Sequence, residues 1–231
     1  MMFRSFLVTL FDATYTLNKS NILSFCQTDP KAKILDLGCD DGIWTEAIAR
    51  KIGTSEVHGI EIVPERAAAA RERGISVVEH DLNYPLPYAD GSFDMIHANQ
   101  VIEHVGSIDT FTAEIFRCLR PGGYVVISTE NASSWHNIGA TILGWQMFSL
   151  TNLSVKRLGV GNPLAVHRHD TGHLGSWTHK TIFSYRGLIE FLGCHQFRHV
   201  QIRGSGYYPL AAKFGLLDPR HAHFITAYAQ K

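Results

Sequence analysis

The sequence predicts an α/β fold of the doubly wound type, with a mainly parallel seven-stranded sheet and helices on both faces. Three observations lead there. From Lys33 onward, short apolar and β-branched runs alternate with helix-period runs, the signature of repeated βαβ units. The first of these runs feeds into a glycine turn, Asp36-Leu-Gly38-Cys39-Asp40-Asp-Gly42, where open α/β sheets present their first ligand-facing loop. Hydrophobic residues make up 45% of the 231 residues and charged residues 18%, which suits one sizeable core and argues against disorder.

The elements follow in order. Residues 3–26 read as an amphipathic helix, packed on the domain or over its cleft. Asp12 interrupts the apolar run, and no small-residue cleavage site follows it as in a signal peptide. Residues 33–38 form a buried strand. Residues 44–51 are helical, with Ile48 and Ile52 on one face. Residues 56–61 are a second strand. Pro64 opens a helix over 64–73, at a position where its missing N–H costs nothing, and Gly74 stops it. Residues 75–80 and 93–98 are the third and fourth strands. A helix over 111–119 ends at Arg120-Pro-Gly-Gly123, before a fifth strand over 124–128. The alternation loosens over 131–179, where an amphipathic stretch precedes a Gly/His-rich loop. A helix near 185–192 and strands near 197–202 and 222–229 close the chain. Residues 1–231 are thus expected to form a single domain, with an N-terminal helical segment over 1–32 and an insertion over about 131–179.

Charge and cysteine usage narrow the partners. Formal net charge is zero and the isoelectric point is near 7.2, unlike the basic stripe with which a nucleic-acid binder displaces counterions, so no nucleic-acid partner is expected. No stretch approaches the roughly 18 uninterrupted apolar residues of a transmembrane segment. The four cysteines, Cys26, Cys39, Cys118 and Cys194, are scattered without a C-x-x-C pair, which fits the reducing cytoplasm better than a disulfide framework or a zinc knuckle.

Three positions carry binding chemistry. The 36–42 turn lets a ligand approach the main chain, but it lacks the third glycine of G-x-G-x-x-G and suits NAD poorly; the alternative is a plain tight turn. Glu61 closes the second strand, where a carboxylate can accept from two ribose hydroxyls; the alternative is a solvated strand end. Asp81 and Leu82 follow the third strand, where a carboxylate can meet an exocyclic amine beside an apolar side chain; the alternative is an Asx turn.

Taken in order, Ile34-Leu-Asp-Leu-Gly-Cys-Asp-Asp-Gly42, Gly59-Ile-Glu61, Asp81-Leu82, Phe93-Asp-Met-Ile-His-Ala-Asn-Gln-Val-Ile-Glu-His-Val105 and Leu119-Arg-Pro-Gly-Gly123 resemble the class I S-adenosylmethionine (SAM)-dependent methyltransferases, in their small-molecule and quinone-type branch. The resemblance covers about residues 33–129 and resumes at 179–188 and 204–209. It implies a Rossmann-like methyltransferase fold and SAM as cofactor, with S-adenosylhomocysteine as product. It implies that Gly38, Gly42 and the backbone through Cys39 and Asp40 hold the methionine moiety, with Asp36 supporting the turn and the amino group. Glu61 would take the ribose hydroxyls, Ile62 would stack beside the adenine, and Asp81 and Leu82 would meet its edge. Asn99 and Gln100 would line the cleft near the methionine end. The family commonly has glycine where this chain has Asp40, whose carboxylate would face the ligand's ammonium or crowd it.

His104 lies just past the fourth strand, where an imidazole can take the proton of a hydroxyl acceptor; the alternative is a structural role. His167, Arg168, His169, Asp170, His173 and His179 match no compact metal-ligand spacing, so no metal is expected. The function expected from the resemblance is methyl transfer to a small-molecule or lipid-like acceptor, with oxygen the favoured target. Alternatives are a SAM-binding module without turnover and an NAD-linked oxidoreductase.

Overall fold

A computed structural model of the chain describes residues 2–165, 167, 168 and 178–231. In chain order it comprises α1 (Met2–Phe25), β1 (Lys33–Leu37), α2 (Ile43–Ile52), β2 (Glu56–Glu61), α3 (Pro64–Glu72), β3 (Ser76–Glu79), β4 (Phe93–Asn99), α4 (Ile108–Cys118), β5 (Leu119–Glu130), α5 (Trp135–Ile142), α6 (Tyr185–Cys194), β6 (Arg198–Ser205), α7 (Phe214–Leu217) and β7 (Phe224–Gln230). The seven strands lie in the order β3-β2-β1-β4-β5-β7-β6. The pairings β2 with β3, β1 with β2, β1 with β4 and β4 with β5 are all parallel. This is the mainly parallel, Rossmann-like sheet that the strand–helix alternation predicts. β7 departs from it: Asn131 N donates to His223 O and Lys231 N to Gly123 O, so β7 runs antiparallel to β5. A strand reached without a long crossover helix can enter a sheet in that direction.

Several boundaries differ from expectation, two of them around α4. α4 starts at Ile108 rather than at 111, because the Ser107 side chain caps it by accepting from Thr110 N. β5 starts at Leu119, paired with Phe93, so strand geometry begins where the glycines at 122 and 123 suggested only a turn.

The chain divides into two compact units. One comprises Ile22–Ser128, Glu190–Gln201 and Ala227–Lys231. Its core gathers Ile22, Phe25, Ile34, Ile48, Ile52, Met95 and Val126, and a smaller cluster sets Cys39 and Ile75 against Ala67 and Ala70 of α3. Ile48 and Ile52 fall one turn apart, which is why α2 forms where it does; fully burying each contributes about 1.5–3 kcal/mol. The small alanines let α3 approach closely, and a Cβ on Gly42 would lie 2.6 Å from Ile75 Cδ1.

The other unit comprises Met1–Asn21, Thr129–Ile189 and Ile202–Thr226. Much of it has no regular structure, and side-chain amides replace the missing ladders. Asn137 Nδ2 donates to Asn131 O and Ser149 Oγ, at 3.0 and 2.8 Å, and Asn162 Nδ2 donates to Gln146 O at 2.8 Å. An imidazole pair lies among the rings of Phe148 and Tyr208, with the buried His223 Nδ1 3.0 Å from His136 Nε2. Burial pushes the pKa of His136 down to about 3, and burial with the His136 neighbour pushes His223 well below the usual range. The folded state keeps both neutral, whereas the unfolded chain protonates them near 6.5. This stability is therefore fully present above pH 6.5 and is lost as pH falls; for His136 the loss runs toward about pH 3, at roughly 1.4 kcal/mol per pH unit. Urea midpoints should fall between pH 7 and pH 5, and His136→Gln should flatten that fall. Equal slopes in the variant and the parent would refute the account. No described helix is long and apolar enough to cross a membrane.

Candidate cofactor site

β1 pairs with β2 on one side and β4 on the other, so the chain reverses its direction of travel across the sheet between them. Such a switch point leaves a crevice beyond the carboxyl ends of the two strands, because the loops that follow them leave toward opposite faces. Gly38, Cys39, Asp40 and Gly42 follow β1, and Asn99 and Gln100 end and follow β4. Glu61 and Ile62 lie at the end of β2, and Asp81 and Leu82 follow β3. Every sequence-predicted candidate is therefore at the same end of the four parallel strands.

The turn after β1 is held from below. Gly38 N and Cys39 N both donate to Ile60 O, at 2.8 and 3.0 Å. Gly38, Asp40 and Gly42 adopt φ of 74°, 50° and 80°, the left-handed region that glycine enters freely and aspartate enters better than most. A Cβ on Gly38 would lie 2.8 Å from Val101 Cγ2. The Cys39 side chain packs inward, since a Cβ on Gly59 would lie 2.6 Å from its sulfur. Burial pushes that thiol up to about 12, so Cys39 offers a ligand its backbone alone. The Asp40 carboxylate pairs at 3.2 Å with Arg66 on the surface.

Glu61 is buried, and its two oxygens serve the chain: Oε2 accepts from Asp40 N at 3.0 Å and Oε1 from Val63 N at 2.9 Å. It therefore ties the glycine turn to the end of β2. A carboxylate has about four acceptor positions, which leaves capacity for hydroxyl donors. Ile62, beside it, is 53% exposed, an apolar surface at a strand end. Asp81 forms an Asx turn, accepting from Asn83 N at 2.9 Å and Asn83 Nδ2 at 2.6 Å. Asn83 Oδ1 in turn accepts from Gly106 N at 2.5 Å, which links the loops after β3 and β4.

Gln100 holds the left-handed conformation, φ 56°, with its N–H donating to Ser128 O at 2.7 Å. Its side-chain Nε2 is buried with no hydrogen-bond partner among the described residues. A non-glycine residue in that conformation beside an orphaned buried donor is typical of a ligand-binding position. His104 follows in a turn, its N–H donating to Val101 O at 2.9 Å, and is half-buried. A left-handed glycine cradle, an orphaned amide, a strand-end carboxylate and an exposed aliphatic surface together fit an amino-acid nucleoside.

Sequence reasoning missed two partners of the candidate Asp36, His97 and Thr45. Asp36 is buried, with Oδ1 2.6 Å from His97 Nδ1 and Oδ2 accepting from the Thr45 hydroxyl at 2.5 Å. Its carboxylate thus faces into the domain. The signal for His97 lay in its register, since Asp36 and His97 are neighbours across the β1–β4 ladder. Of the histidine-rich stretch, His179 Nδ1 lies 2.6 Å from Ser149 O. His169, Asp170, His173 and Trp177 lie outside the described residues.

Comparison with known proteins assigns the family. A family model for the methyltransferase domain matches residues 13–193. The biotin biosynthesis bifunctional protein BioCD of Bordetella avium is 30% identical over 125 residues, 48% of this chain and 25% of that protein, so the chain spans only about a quarter of that relative. The ubiquinone biosynthesis O-methyltransferase of Burkholderia thailandensis is 24% identical over 204 residues, 86% of this chain and 78% of that one. A solved S-adenosylmethionine-dependent methyltransferase of Mesorhizobium loti superposes with a TM-score of 0.60 at 19% identity, covering 96% of this chain and 100% of that one, a likeness of fold. With the model matched across most of its length, the chain belongs to the methyltransferase-domain family.

Proposed function

We propose that this methyltransferase binds SAM at the β1–β4 switch point and methylates a small-molecule or lipid-like acceptor, with oxygen as the favoured target. The supporting observation is the convergence of the glycine turn, Glu61 and the orphaned Gln100 amide at the strand ends. Gly38, Gly42 and the backbone of Cys39 and Asp40 receive the methionine portion, with Asp36 supporting the turn from beneath. Glu61 accepts from the ribose, Ile62 covers one face of the adenine, and Asp81 and Leu82 border its edge. Asn99 and Gln100 line the methionine end. SAM bound there supplies a methyl group already activated on a sulfonium and leaves as S-adenosylhomocysteine. The chain's own contribution is alignment, water exclusion and removal of the acceptor proton, which we assign to His104. The preference for oxygen rests on the likeness to the ubiquinone O-methyltransferase. We propose further that the chain works as one domain, that 1–26 and about 131–179 carry acceptor selectivity, and that the cytoplasm is its compartment.

Single-turnover transfer from methyl-labelled SAM to a panel of phenols, carboxylic acids and amines of graded lipophilicity tests the reading. Labelled methyl ether is the expected product. Transfer to no acceptor would favour a binding module, and transfer to amines alone would overturn the oxygen assignment. Glu61→Ala should weaken S-adenosylhomocysteine binding at least about tenfold, roughly 1.4 kcal/mol, because the ribose acceptor and the tether of the turn are lost together. Calorimetric titration measures this, and an unchanged dissociation constant in a folded variant would remove Glu61 from the site.

A further inference from the structure

Charge is unevenly divided between the two units. The unit built from Met1–Asn21, Thr129–Ile189 and Ile202–Thr226 holds ten Lys and Arg against four Asp and Glu. The rest of the chain holds eleven against seventeen. The zero net charge thus conceals a basic unit and an acidic one. The same basic unit exposes large apolar side chains. Between Pro209 and Leu217 only Ala212 and Gly215 are buried; Leu210, Phe214, Leu216 and Leu217 are exposed, the last at 82%. Trp135 is exposed beside this stretch, its Nε1 donating to Tyr207 Oη at 2.8 Å and its ring stacked on His221 at 4.3 Å. Ile142 and Leu143, at the far end of the same helix, are exposed as well.

These side chains do not sit on a slack loop. Gly204 packs against Gly215 O and Pro219 Cα with no room for a Cβ. Asp218 accepts from Tyr207 Oη at 2.8 Å and lies 2.7 Å from His221 Nδ1, which pins both ends of the excursion. The one carboxylate of the stretch is thereby half-buried and engaged, and Arg220 reaches it at 3.2 Å. Lys213 is exposed among the apolar residues, and a second segment repeats the pattern, with Leu153 and Val155 exposed beside Lys156 and Arg157. A frame that holds Leu, Phe and Trp outward, interleaved with cations and without exposed carboxylates, matches the interfacial region of an anionic bilayer, where apolar side chains enter the acyl boundary and cations meet headgroups. Nucleic acid would satisfy the cations but leave the aliphatic side chains in water.

We propose that the 209–217 stretch with Trp135, supported by the 153–157 segment, docks this enzyme reversibly on membranes that carry anionic phospholipid. This goes beyond the acceptor reading and stands without it, since vesicle binding is measured with no acceptor and no turnover. Co-sedimentation of the full chain with phosphatidylcholine vesicles, with and without 30 mol% phosphatidylglycerol, is the test. Binding should be at least about tenfold stronger to the anionic vesicles and should weaken as salt rises. The pair Leu216→Ser and Leu217→Ser should cut binding to anionic vesicles about tenfold or more, while S-adenosylhomocysteine affinity and unfolding temperature stay unchanged. Lys213→Glu should weaken binding and its salt dependence together. Equal binding to both vesicle types, binding to neither, an unaffected Leu216/Leu217 double variant, or retention on duplex DNA or RNA in place of vesicles would each overturn the proposal. So would a dimer abolished by the serine pair, because the patch would then be covered by a second copy.

Discussion

His104→Ala is expected to slow methyl transfer to a hydroxyl acceptor about 10²–10⁴-fold, the usual contribution of a positioned general base, while S-adenosylhomocysteine affinity stays within about twofold. The residue follows Asn99 by five positions, in a turn closed by its N–H donating to Val101 O at 2.9 Å. On the proposed assignment, the imidazole takes the acceptor proton as the new O–C bond forms and the C–S bond breaks. The parent rate should accordingly rise with pH across the range in which histidines titrate, and that rise should vanish in the variant. An ordering role predicts the reverse pattern, with weaker cofactor binding and an unchanged pH profile. Single-turnover rates and dissociation constants measured across pH separate the two outcomes. A variant with full turnover removes His104 from the mechanism.

Asp36→Ala is expected to destabilise the protein by about 2–4 kcal/mol, because it orphans two buried partners at once, His97 Nδ1 and the Thr45 hydroxyl. For a chain of this length that lowers the unfolding temperature by roughly 5–15 °C. Asp36→Asn should recover most of the loss, since its amide can accept from the imidazole and donate to the hydroxyl in the same space. The cofactor turn begins two residues later, so the alanine variant should also bind S-adenosylhomocysteine more weakly. Thermal unfolding of both variants checks this. If asparagine proves as damaging as alanine, the carboxylate charge matters more than the geometry of the network.

The sequence by itself determined the element types, their order and the placing of the candidate residues at the strand ends. Period-2 apolar runs, glycine stops and Pro64 are local signals, and each acts within a few residues of where it is read. The tertiary structure alone decided how the polar groups are shared. Glu61 ties Asp40 N to Val63 N across 21 residues of chain, Asp36 meets His97 across 61, and His136 meets His223 across 87. The antiparallel entry of β7, the division of charge between two units and the outward set of Leu216 and Leu217 belong to the same class. The reason is physical: hydrogen-bond partners and burial depend on which distant segments meet, and side-chain periodicity along one segment carries no record of the other.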